Sequence, residues 1–545
     1  MTINRLRNAC FAAMIPAAVA ACGGGMDAPM PAAEEPSAPA TMSSPAVAER
    51  VLEQIHYVKA SNTGFGDQFG TGGTLLGDAV ALSDDGSTLA VGATFEASGS
   101  AGVNGDQSDD SVYGAGAVYV FSNDDGNWTQ QAYIKASNPG LTDNFGYAVE
   151  LSEDGNTLAV SAYFEASGAT GVGANQADDS IPQAGAVYIF TRNGESWSQQ
   201  AYLKASNTGH LPDDPNEIGD GDQFGFAIAL SDDGNTLAVG AIAEDGGDIN
   251  DPSDNSLLSA GAVYVFERSG AMWTQEAYLK PSNVGQGDLF GYSLALTADA
   301  NTLVVGSYDE DGSLAGNNDV QNDDQAGSGA IYVFEREGDA WVQTAYLKGS
   351  YVERNDSIGV VVDISDDGST LVSTALDEDS FATGINPVPE PDWESDTSTG
   401  GVYVFVRDGD GWAQEAYLKA SNTGREDWFG SRLELSGDGD TLVAGAQLED
   451  SSATGIDGEQ NDDSAQEAGV AYLFTRDDGV WSQRAYIKGS NTEAYDEFGS
   501  TLSLSRDGRL LAIGARGEDS GATGIDGDQT DNSVAEAGAV YLFSF

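Results

Sequence analysis

Short apolar runs separated by turn sequences recur along the chain from about residue 51 to its end. One copy of the pattern, from Asp496 to Phe543, reads DEFGSTLSLSRDGRLLAIGARGEDSGATGIDGDQTDNSVAEAGAVYLF. A glycine opens the third apolar run of every copy, and these glycines are Gly116, Gly185, Gly261, Gly329, Gly400, Gly469 and Gly538. They are 68 to 76 residues apart. This period is too long for a unit of a helical solenoid, so it predicts one small sheet per copy.

Each copy contains four runs, which is a pattern typical of a small antiparallel sheet. In the second copy these runs are residues 145–151, 157–162, 185–190 and 197–205. Asp154-Gly155, between the first two runs, supplies the positive φ angles that a tight hairpin needs. The third run is apolar at successive positions, so both of its faces should be buried between stacked sheets. We therefore predict an all-β fold, a seven-bladed β-propeller of four-stranded antiparallel blades.

The two ends of the chain predict how the propeller closes. The last copy ends at Phe545, after its third strand, and lacks the fourth strand, whose template is Trp-x-Gln-x-Ala-Tyr-x-Lys. Residues 52–59 match this template, with Leu52 in the tryptophan position. We expect this N-terminal strand to complete the last blade, which gives a propeller domain at residues 50–545 and removes two exposed sheet edges.

Residues 1–21 have the composition of a signal peptide. Arg5 and Arg7 precede an apolar stretch that is too short to span a bilayer and ends in small residues. Residues 19–22, Val-Ala-Ala-Cys, resemble a bacterial lipobox, which implies a lipidated Cys22. The alternative is an ordinary signal peptide with an incidental cysteine. By resemblance to Gram-negative lipoproteins, Gly23 favours the outer membrane within the cell envelope.

The segment at residues 22–49 predicts a flexible tether behind the lipidated cysteine. It is rich in Ala, Pro, Ser, Gly and Glu and has no aromatic residue, so it cannot bury enough surface to order itself. Nothing downstream is long and apolar enough to insert into a membrane. We therefore expect membrane contact only through the lipid anchor.

The charge of the chain limits its partners. It has 87 acidic and 22 basic residues, a formal charge of −65, and loss of Arg5 and Arg7 with the signal peptide makes this −67. Such a surface repels nucleic acids and anionic lipid surfaces. Cations, basic proteins and acidic glycans bridged by divalent ions remain as partners. Alternatively, the charge serves only solubility in salty surroundings.

Two further motifs recur with the copies. Phe-Gly opens the first strand after Asp67, Asp143, Asp222, Asp288, Asp427 and Asp496, with Ile358 replacing Phe in the fifth copy. Val-Gly-Ala or Ile-Gly-Ala ends several second strands, as at Gly92, Gly240 and Gly514. On these motifs the chain resembles, over residues 51–545, the FG-GAP repeats of the integrin α-subunit propeller in a bacterial lipoprotein version. The calcium loop of that family, between strands one and two, is replaced here by short turns such as 83–88, so we do not carry it over.

Acidic residues concentrate instead between the second and third strands of several copies. The candidate metal ligands there are Asp106, Asp109, Asp110, Asp457, Glu459, Asp462, Asp463, Asp526, Asp528 and Asp531. Oxygen ligands with an intervening glycine could fold round calcium, which is the one cofactor that the sequence suggests. The alternative is a solvated acidic loop held by Asx turns.

The topology of an up-and-down blade places the long connections on one face. The loop between strands two and three and the connection to the next blade emerge together there, and binding usually lies on such loops. The resemblance agrees, because integrins bind ligands on the corresponding face. The largest insertions, residues 210–222 and 384–399, offer His210 and Trp393 as candidate ligand contacts.

Two residue types of the fourth strand predict structural roles. The lysine of Tyr-x-Lys recurs in every copy, and we expect it to pair with an acidic group near the adjoining strand end, with ligand binding as the alternative. The tryptophans, Trp128, Trp197, Trp273, Trp341, Trp412 and Trp481, predict packing between blades, with sugar stacking as the alternative.

Catalysis has little support in the sequence. The only histidines are His56 and His210, and no nucleophile elbow, zinc motif or phosphate loop appears in context. We therefore expect a monomeric, lipid-anchored envelope module for adhesion or binding, not an enzyme, that recognises a protein or glycan ligand through its long-loop face. The alternatives are a glycan-active envelope enzyme and a scaffold for envelope assembly.

Overall fold

Seven antiparallel sheets are present in this computed structural model of the chain. It describes residues 51–545 except 73–76, 210–220, 250, 313–324, 339, 389–396 and 410. The first strand, β1 (Glu53–Val58), belongs to the seventh sheet, and the others follow in chain order. Within the described part of the chain, no helix has the length and apolar character needed to cross a bilayer.

The first four blades each have four strands. Blade 1 comprises β2 (Val80–Leu82), β3 (Thr88–Ala93), β4 (Ala117–Asp124) and β5 (Asn127–Ile134). Blade 2 comprises β6 (Val149–Leu151), β7 (Thr157–Ala162), β8 (Ala186–Asn193) and β9 (Ser196–Leu203). Blade 3 comprises β10 (Phe224–Leu230), β11 (Thr236–Ala241), β12 (Ala262–Ser269) and β13 (Met272–Leu279). Blade 4 comprises β14 (Phe290–Leu296), β15 (Thr302–Ser307), β16 (Ala330–Glu337) and β17 (Ala340–Leu347).

The last three blades include two departures from that plan. Blade 5 comprises β18 (Ile358–Ile364), β19 (Thr370–Ala375), β20 (Gly384–Ile385), β21 (Gly401–Asp408) and β22 (Gly411–Lys419). Its extra strand β20 pairs with the outer edge of β22. Blade 6 comprises β23 (Arg432–Leu435), β24 (Thr441–Ala446), β25 (Val470–Asp477) and β26 (Val480–Ile487). Blade 7 comprises β27 (Phe498–Leu504), β28 (Leu510–Ala515) and β29 (Ala539–Ser544), together with β1.

The first strands of the blades surround the propeller axis. Each contacts the first strand of the next blade, from β2 through β6, β10, β14, β18 and β23 to β27 and back to β2. The N-terminal strand β1 pairs with β29, with Tyr57 opposite Tyr541. The predicted seven-bladed fold and its closure by the N-terminal strand are both confirmed.

The turn between the first and second strands shows why these sequences form hairpins. In blade 1, the Ser83 hydroxyl accepts a hydrogen bond from the Thr88 amide at 3.0 Å, and Asp85 Oδ1 accepts one from the Ser87 amide at 2.8 Å. Gly86 has a φ of +65° there. Blade 4 has Ala300 at this point with a φ of +54°, a conformation that is uncommon for a residue with a side chain.

Glycines of the recurring motifs allow neighbouring blades to approach closely. A Cβ atom on Gly116 would lie 2.0 Å from the carbonyl oxygen of Phe145, and one on Gly92 would lie 2.1 Å from that of Gly146. Aromatic rings fill the rest of the junction, as where Phe69 meets Tyr119 edge-on with centroids 5.4 Å apart. The Phe-Gly and Gly-Ala motifs thus mark the contacts between blades.

The repeated lysines form buried ion pairs, as predicted. Each pairs with a glutamate three residues after the second strand of its blade. The pairs are Lys59–Glu518, Lys135–Glu96, Lys204–Glu165, Lys280–Glu244, Lys348–Glu310, Lys419–Glu378 and Lys488–Glu449. In six blades the glutamate also accepts a hydrogen bond from an asparagine of the connection entering that blade, such as Asn138 to Glu165 at 3.0 Å. The glutamate of these ion pairs therefore links its own blade to the connection from the preceding blade.

The repeated tryptophans pack between blades, as predicted. Trp197 Nε1 donates a hydrogen bond to Gln131 of the preceding blade at 2.8 Å, and the Arg192 guanidinium lies 5.4 Å from the Trp197 ring centroid. An arginine guanidinium also lies 4.5 to 5.5 Å from the tryptophan ring centroid in the equivalent pairs Arg268–Trp273, Arg336–Trp341, Arg407–Trp412 and Arg476–Trp481.

Candidate functional site

The two ends of the propeller differ in the length of their loops. At one end, the turns between first and second strands and between third and fourth strands are short, as at residues 83–87 and 125–126 in blade 1. At the other end, the second strand leads to the third through residues 94–116, and residues 135–148 lead to blade 2. We call these the short-turn face and the long-loop face. The predicted arrangement of the loops is confirmed.

Two of the predicted calcium ligands clamp the long loop to the outermost strand of its blade. Asp457 Oδ1 accepts a hydrogen bond from the Tyr486 amide at 3.1 Å, and the Asp457 amide donates to the Tyr486 carbonyl at 2.8 Å. Asp526 makes the same pair of bonds with Tyr57 in blade 7. In blades 1 and 5 the neutral residues Asn104 and Asn386 do so as well. This clamp therefore does not need a negative charge.

Other predicted ligands close turns within the same loops. Asp106 and Asp528 each accept a hydrogen bond at 3.0 Å from the amide two residues later, and Glu459 accepts one from the Asn461 amide at 3.2 Å. The bonds from Ser108 and Thr530 lower the pKa of Asp106 and Asp528, respectively. These contacts agree with the alternative of acidic loops held by Asx turns.

The remaining predicted ligands vary in their contacts. Asp109 accepts hydrogen bonds from the Gly99 and Ser111 amides at 3.1 Å, and the Ser452 hydroxyl donates to Asp462. Asp531 is half-buried, and Asp110 and Asp463 are exposed. Among the described residues, no three His, Cys, Asp or Glu side chains lie close enough together to hold a metal ion. Calcium binding by these loops stays a prediction.

Three other predicted functional residues, His210, Trp393 and Cys22, lie outside the described residues. The second histidine, His56, is described, and its Nδ1 lies 3.0 Å from Asp526 Oδ2. It belongs to the clamp of blade 7.

A contiguous group of aromatic side chains, which the sequence reasoning missed, lies where the long-loop face meets the axis. We call it the aromatic array, and its members in order are Phe164, Tyr163, Tyr147, Phe226, Tyr292 and Tyr308. Successive ring centroids are 3.9 to 5.5 Å apart. Tyr147, Phe226 and Tyr292 each follow Phe-Gly at the start of a first strand, in blades 2, 3 and 4. Because first strands surround the axis, the array lines one side of its mouth.

The other side of this mouth has no aromatic residue at these positions, and three of its four residues are polar. The residues that follow Phe-Gly or Ile-Gly in blades 1, 5, 6 and 7 are Thr71, Val360, Ser431 and Ser500. Arg432, from blade 6, reaches across to blade 1, where its Nη2 donates to the Gly77 carbonyl at 3.1 Å and its Nε lies 3.3 Å from Asp78. The signal in the sequence was the aromatic residue after Phe-Gly in three consecutive copies only.

Three blades carry a carboxyl group deeper along their first strands. Glu150, Asp363 and Glu434 occupy equivalent positions on the first strands of blades 2, 5 and 6, and each keeps some contact with solvent. Loss of hydration raises the pKa of Glu150 to about 8 and that of Asp363 to about 6, and burial and the Asp363 charge raise that of Glu434. The charges of Asp78 and Asp363 add to the rise in the pKa of Glu150, and the charge of Arg506 opposes it.

One arginine forms ion pairs with acidic turns of three other blades at the short-turn end of the axis. Arg506, in the first turn of blade 7, lies 2.6 Å from Asp366, 3.1 Å from Asp232 and 3.7 Å from Asp84, which belong to blades 5, 3 and 1. Burial raises the pKa of Asp84 to about 7. Arg506 therefore closes this end of the axis, and the long-loop end carries the candidate site.

Comparison with solved structures gives several remote likenesses. The β-propeller domain of Myceliophteria thermophila Cps50 (Swd1) is 9% identical, with 91% of this chain and 100% of that chain covered and a TM-score of 0.47. A Bacteroides uniformis protein named as a candidate 6-phosphogluconolactonase is 9% identical, with 75% and 85% covered and a TM-score of 0.43. Kuenenia stuttgartiensis hydrazine synthase is 13% identical, with 81% and 93% covered and a TM-score of 0.41. These scores are too low to support an argument about function.

Comparison with protein families is more specific. The model of the FG-GAP repeat matches residues 128–190, 212–266, 273–334 and 481–543. No curated protein matches the chain. A β-propeller with FG-GAP repeats is typical of a ligand-binding or scaffold module. The chain is a seven-bladed β-propeller, and four of its segments match the FG-GAP repeat.

Proposed function

We propose that this protein is a lipid-anchored binding module of the bacterial cell envelope, which recognises a protein or glycan ligand through its long-loop face. Cys22 would carry the lipid, residues 22–49 would serve as the tether, and the propeller would act as a monomer. Mass spectrometry of the mature N-terminus tests the anchor. A diacylated cysteine at position 22 is expected, and an unmodified N-terminus at another residue would contradict it.

The difference between the two faces is the observation that carries the proposal. On the short-turn face, serine and aspartate side chains close the first hairpin of blade after blade with the same local hydrogen bonds. On the long-loop face, the loops differ between blades in length and sequence, and the axis mouth is aromatic on one side only. Variable loops on a rigid scaffold are a common location for binding residues.

Photo-crosslinking in living cells tests which face binds. A photoreactive amino acid replaces Tyr113 or Leu258, which are both 60% exposed on the long-loop face. The matched controls are Met272 and Val480, 72% and 68% exposed next to short turns. We expect crosslinked partners from the first pair only. Equal or stronger capture from the second pair would overturn the proposal.

Crosslinking addresses one alternative function, and an activity assay addresses the other. An envelope scaffold would yield crosslinks to several envelope proteins from both faces. A glycan-active enzyme would release products when the full protein is incubated with envelope polysaccharides, and binding without release favours the module. Repeating the crosslinking with a calcium chelator tests whether recognition depends on a divalent ion.

A further inference from the structure

We propose that the axis mouth on the long-loop face is a binding site for a neutral sugar ring, with the aromatic array as its stacking platform. This inference rests on the proposed function, because it assigns a ligand class to the same face. It concerns residues of blades 2 to 4 and the arginine that reaches over the axis from blade 6.

The aromatic array has the layered form of a stacking platform. Tyr147, Tyr163 and Phe226 are buried and support it from below, whereas Phe164, Tyr292 and Tyr308 keep part of their surface exposed. Tyr292 and Tyr308 are stacked on each other, with centroids 5.0 Å apart and planes 22° apart. An aromatic face at a partly open mouth offers apolar area and a fixed orientation, which suits the CH-rich face of a sugar.

The residues that follow Phe-Gly around the mouth include two buried hydroxyl groups and a partly exposed one. Tyr147 and Ser431 are fully buried, and within the described part of the chain Tyr147 Oη and Ser431 Oγ have no hydrogen-bond partner. Burial raises the pKa of Tyr147 and of Tyr292, and the positive charge of Arg432 partly offsets this rise. These two atoms are too buried to meet a ligand, but the phenolic hydroxyl of the half-exposed Tyr292 can exchange hydrogen bonds with sugar hydroxyls. A hydrocarbon ligand offers no such bonds.

The charges around the mouth favour a neutral ligand. Asp78 lies against Arg432 on one side, and the Asp377 carboxylate is near enough to Tyr308 to contribute to its raised pKa on the other. The whole chain carries a formal charge of −65. An acidic sugar would therefore be repelled. A neutral ring meets no such penalty, and its affinity should depend little on salt.

Calorimetric titration of the full mature protein tests the inference. The probes are the neutral hexasaccharides of β-1,4-glucose, α-1,4-glucose, β-1,4-xylose, β-1,4-mannose and β-1,4-N-acetylglucosamine. We expect at least one to bind, with less than a twofold change in Kd between 50 and 300 mM salt, as estimated for an uncharged ligand. Absence of binding by all five would overturn the sugar assignment.

Three variants locate the site. Tyr308→Leu should weaken binding about tenfold, since it removes the ring face, whereas Tyr308→Phe should retain it. Phe65→Ala is the matched control, because Phe65 is 80% exposed on the same face but outside the array. Unchanged binding by a folded Tyr308→Leu protein would overturn the site. If Tyr308→Leu does not fold, protection of Tyr308 from iodination by the bound hexasaccharide replaces it, and no protection is the contradicting result.

The two proposals can fail separately. Crosslinks from Tyr113 and Leu258 without binding of any hexasaccharide would remove the sugar inference and leave the binding module. Hexasaccharide binding that Tyr308→Leu weakens, together with crosslinks only from the short-turn face, would keep the sugar site and overturn recognition of partners by the long-loop face.

Discussion

Every blade holds a lysine and a glutamate in the same buried geometry, and in six blades the glutamate also bonds to the connection from the preceding blade. The positions around the axis, in contrast, differ from blade to blade. The residue before the last one of the first strand is Ala81, Glu150, Ala229, Ala295, Asp363, Glu434 and Ser503 in blades 1 to 7. Because the junctions repeat, their residues serve the packing that every blade needs. Because the axis does not repeat, its polar and aromatic residues need another explanation, and ligand binding supplies one.

Breaking a junction should have the largest effect on stability. Glu165 pairs with Lys204 at 3.1 Å and accepts hydrogen bonds from Asn138 and the Ser167 amide. Glu165→Ala leaves a buried ammonium unpaired, so we expect a loss of about 3–5 kcal/mol in the free energy of unfolding. Urea unfolding measures it. Glu195→Ala, on an exposed hairpin, is the control and should change stability by less than about 0.5 kcal/mol. Similar losses in both variants would contradict the structural role.

The junctions should also make stability depend on pH. Burial is the main reason that the pKa of Asp67, Asp143, Asp427 and Asp496 rises to about 7 and that of Asp356 to about 8. The folded chain therefore holds these protons more tightly than the unfolded chain, where the pKa is 3.8. This stabilisation is complete below pH 3.8 and is lost as the pH rises through 7 to 8.

We expect the contribution of each of these carboxyls to the free energy of unfolding to fall by on the order of 1 kcal/mol between pH 5 and pH 9. Thermal unfolding across this range measures the loss, and Asp143→Asn should make it smaller. Asp154→Asn, at a surface turn where hydrogen bonds lower the pKa, should leave it unchanged. A stability that rises from pH 5 to pH 9 would contradict the burial of protonated carboxyls.

The residues that recur from blade to blade could be predicted from the sequence, and the residues that differ around the axis could not. Spacing, turn residues and the missing fourth strand near Phe545 predicted seven blades and their closure by the strand that begins at Glu53. The lysine and tryptophan roles followed because the lysine recurs in all seven copies and the tryptophan in six, which indicates a task that the blades share. The aromatic array was missed because its members belong to different copies, and only the packing of neighbouring blades brings Tyr147, Phe226 and Tyr292 together.

At the axis, removing a carboxyl charge should change the free energy of unfolding by less than Glu165→Ala does, and it should increase it. Glu150 has a pKa of about 8, mainly because it is poorly hydrated and secondarily because it is repelled by Asp78. Glu150→Gln removes the need to ionise there, so it should raise the free energy of unfolding by about 1 kcal/mol at pH 9 and leave it unchanged at pH 5. The difference between the two pH values is the measurement. Destabilisation at pH 9 would indicate that the carboxylate is held by a favourable partner.

The smallest effect concerns the acidic loops between the second and third strands. The geometry of these loops repeats from blade to blade, but their charge does not. Asp457 in blade 6 makes the same two bonds to Tyr486 that Asn104 makes to Tyr133 in blade 1. Asp457→Asn should therefore change stability by less than about 0.5 kcal/mol, whereas Asp457→Ala should cost about 1 kcal/mol because the Tyr486 amide loses its acceptor. Thermal unfolding with calcium and with chelator, at fixed ionic strength, separates the two interpretations. A calcium-dependent rise in Tm that Asp457→Asn abolishes would make the loop a metal site. A Tm response that is the same in Asp457→Asn and the unmodified chain means that Asp457 serves as the clamp that its neutral counterparts form.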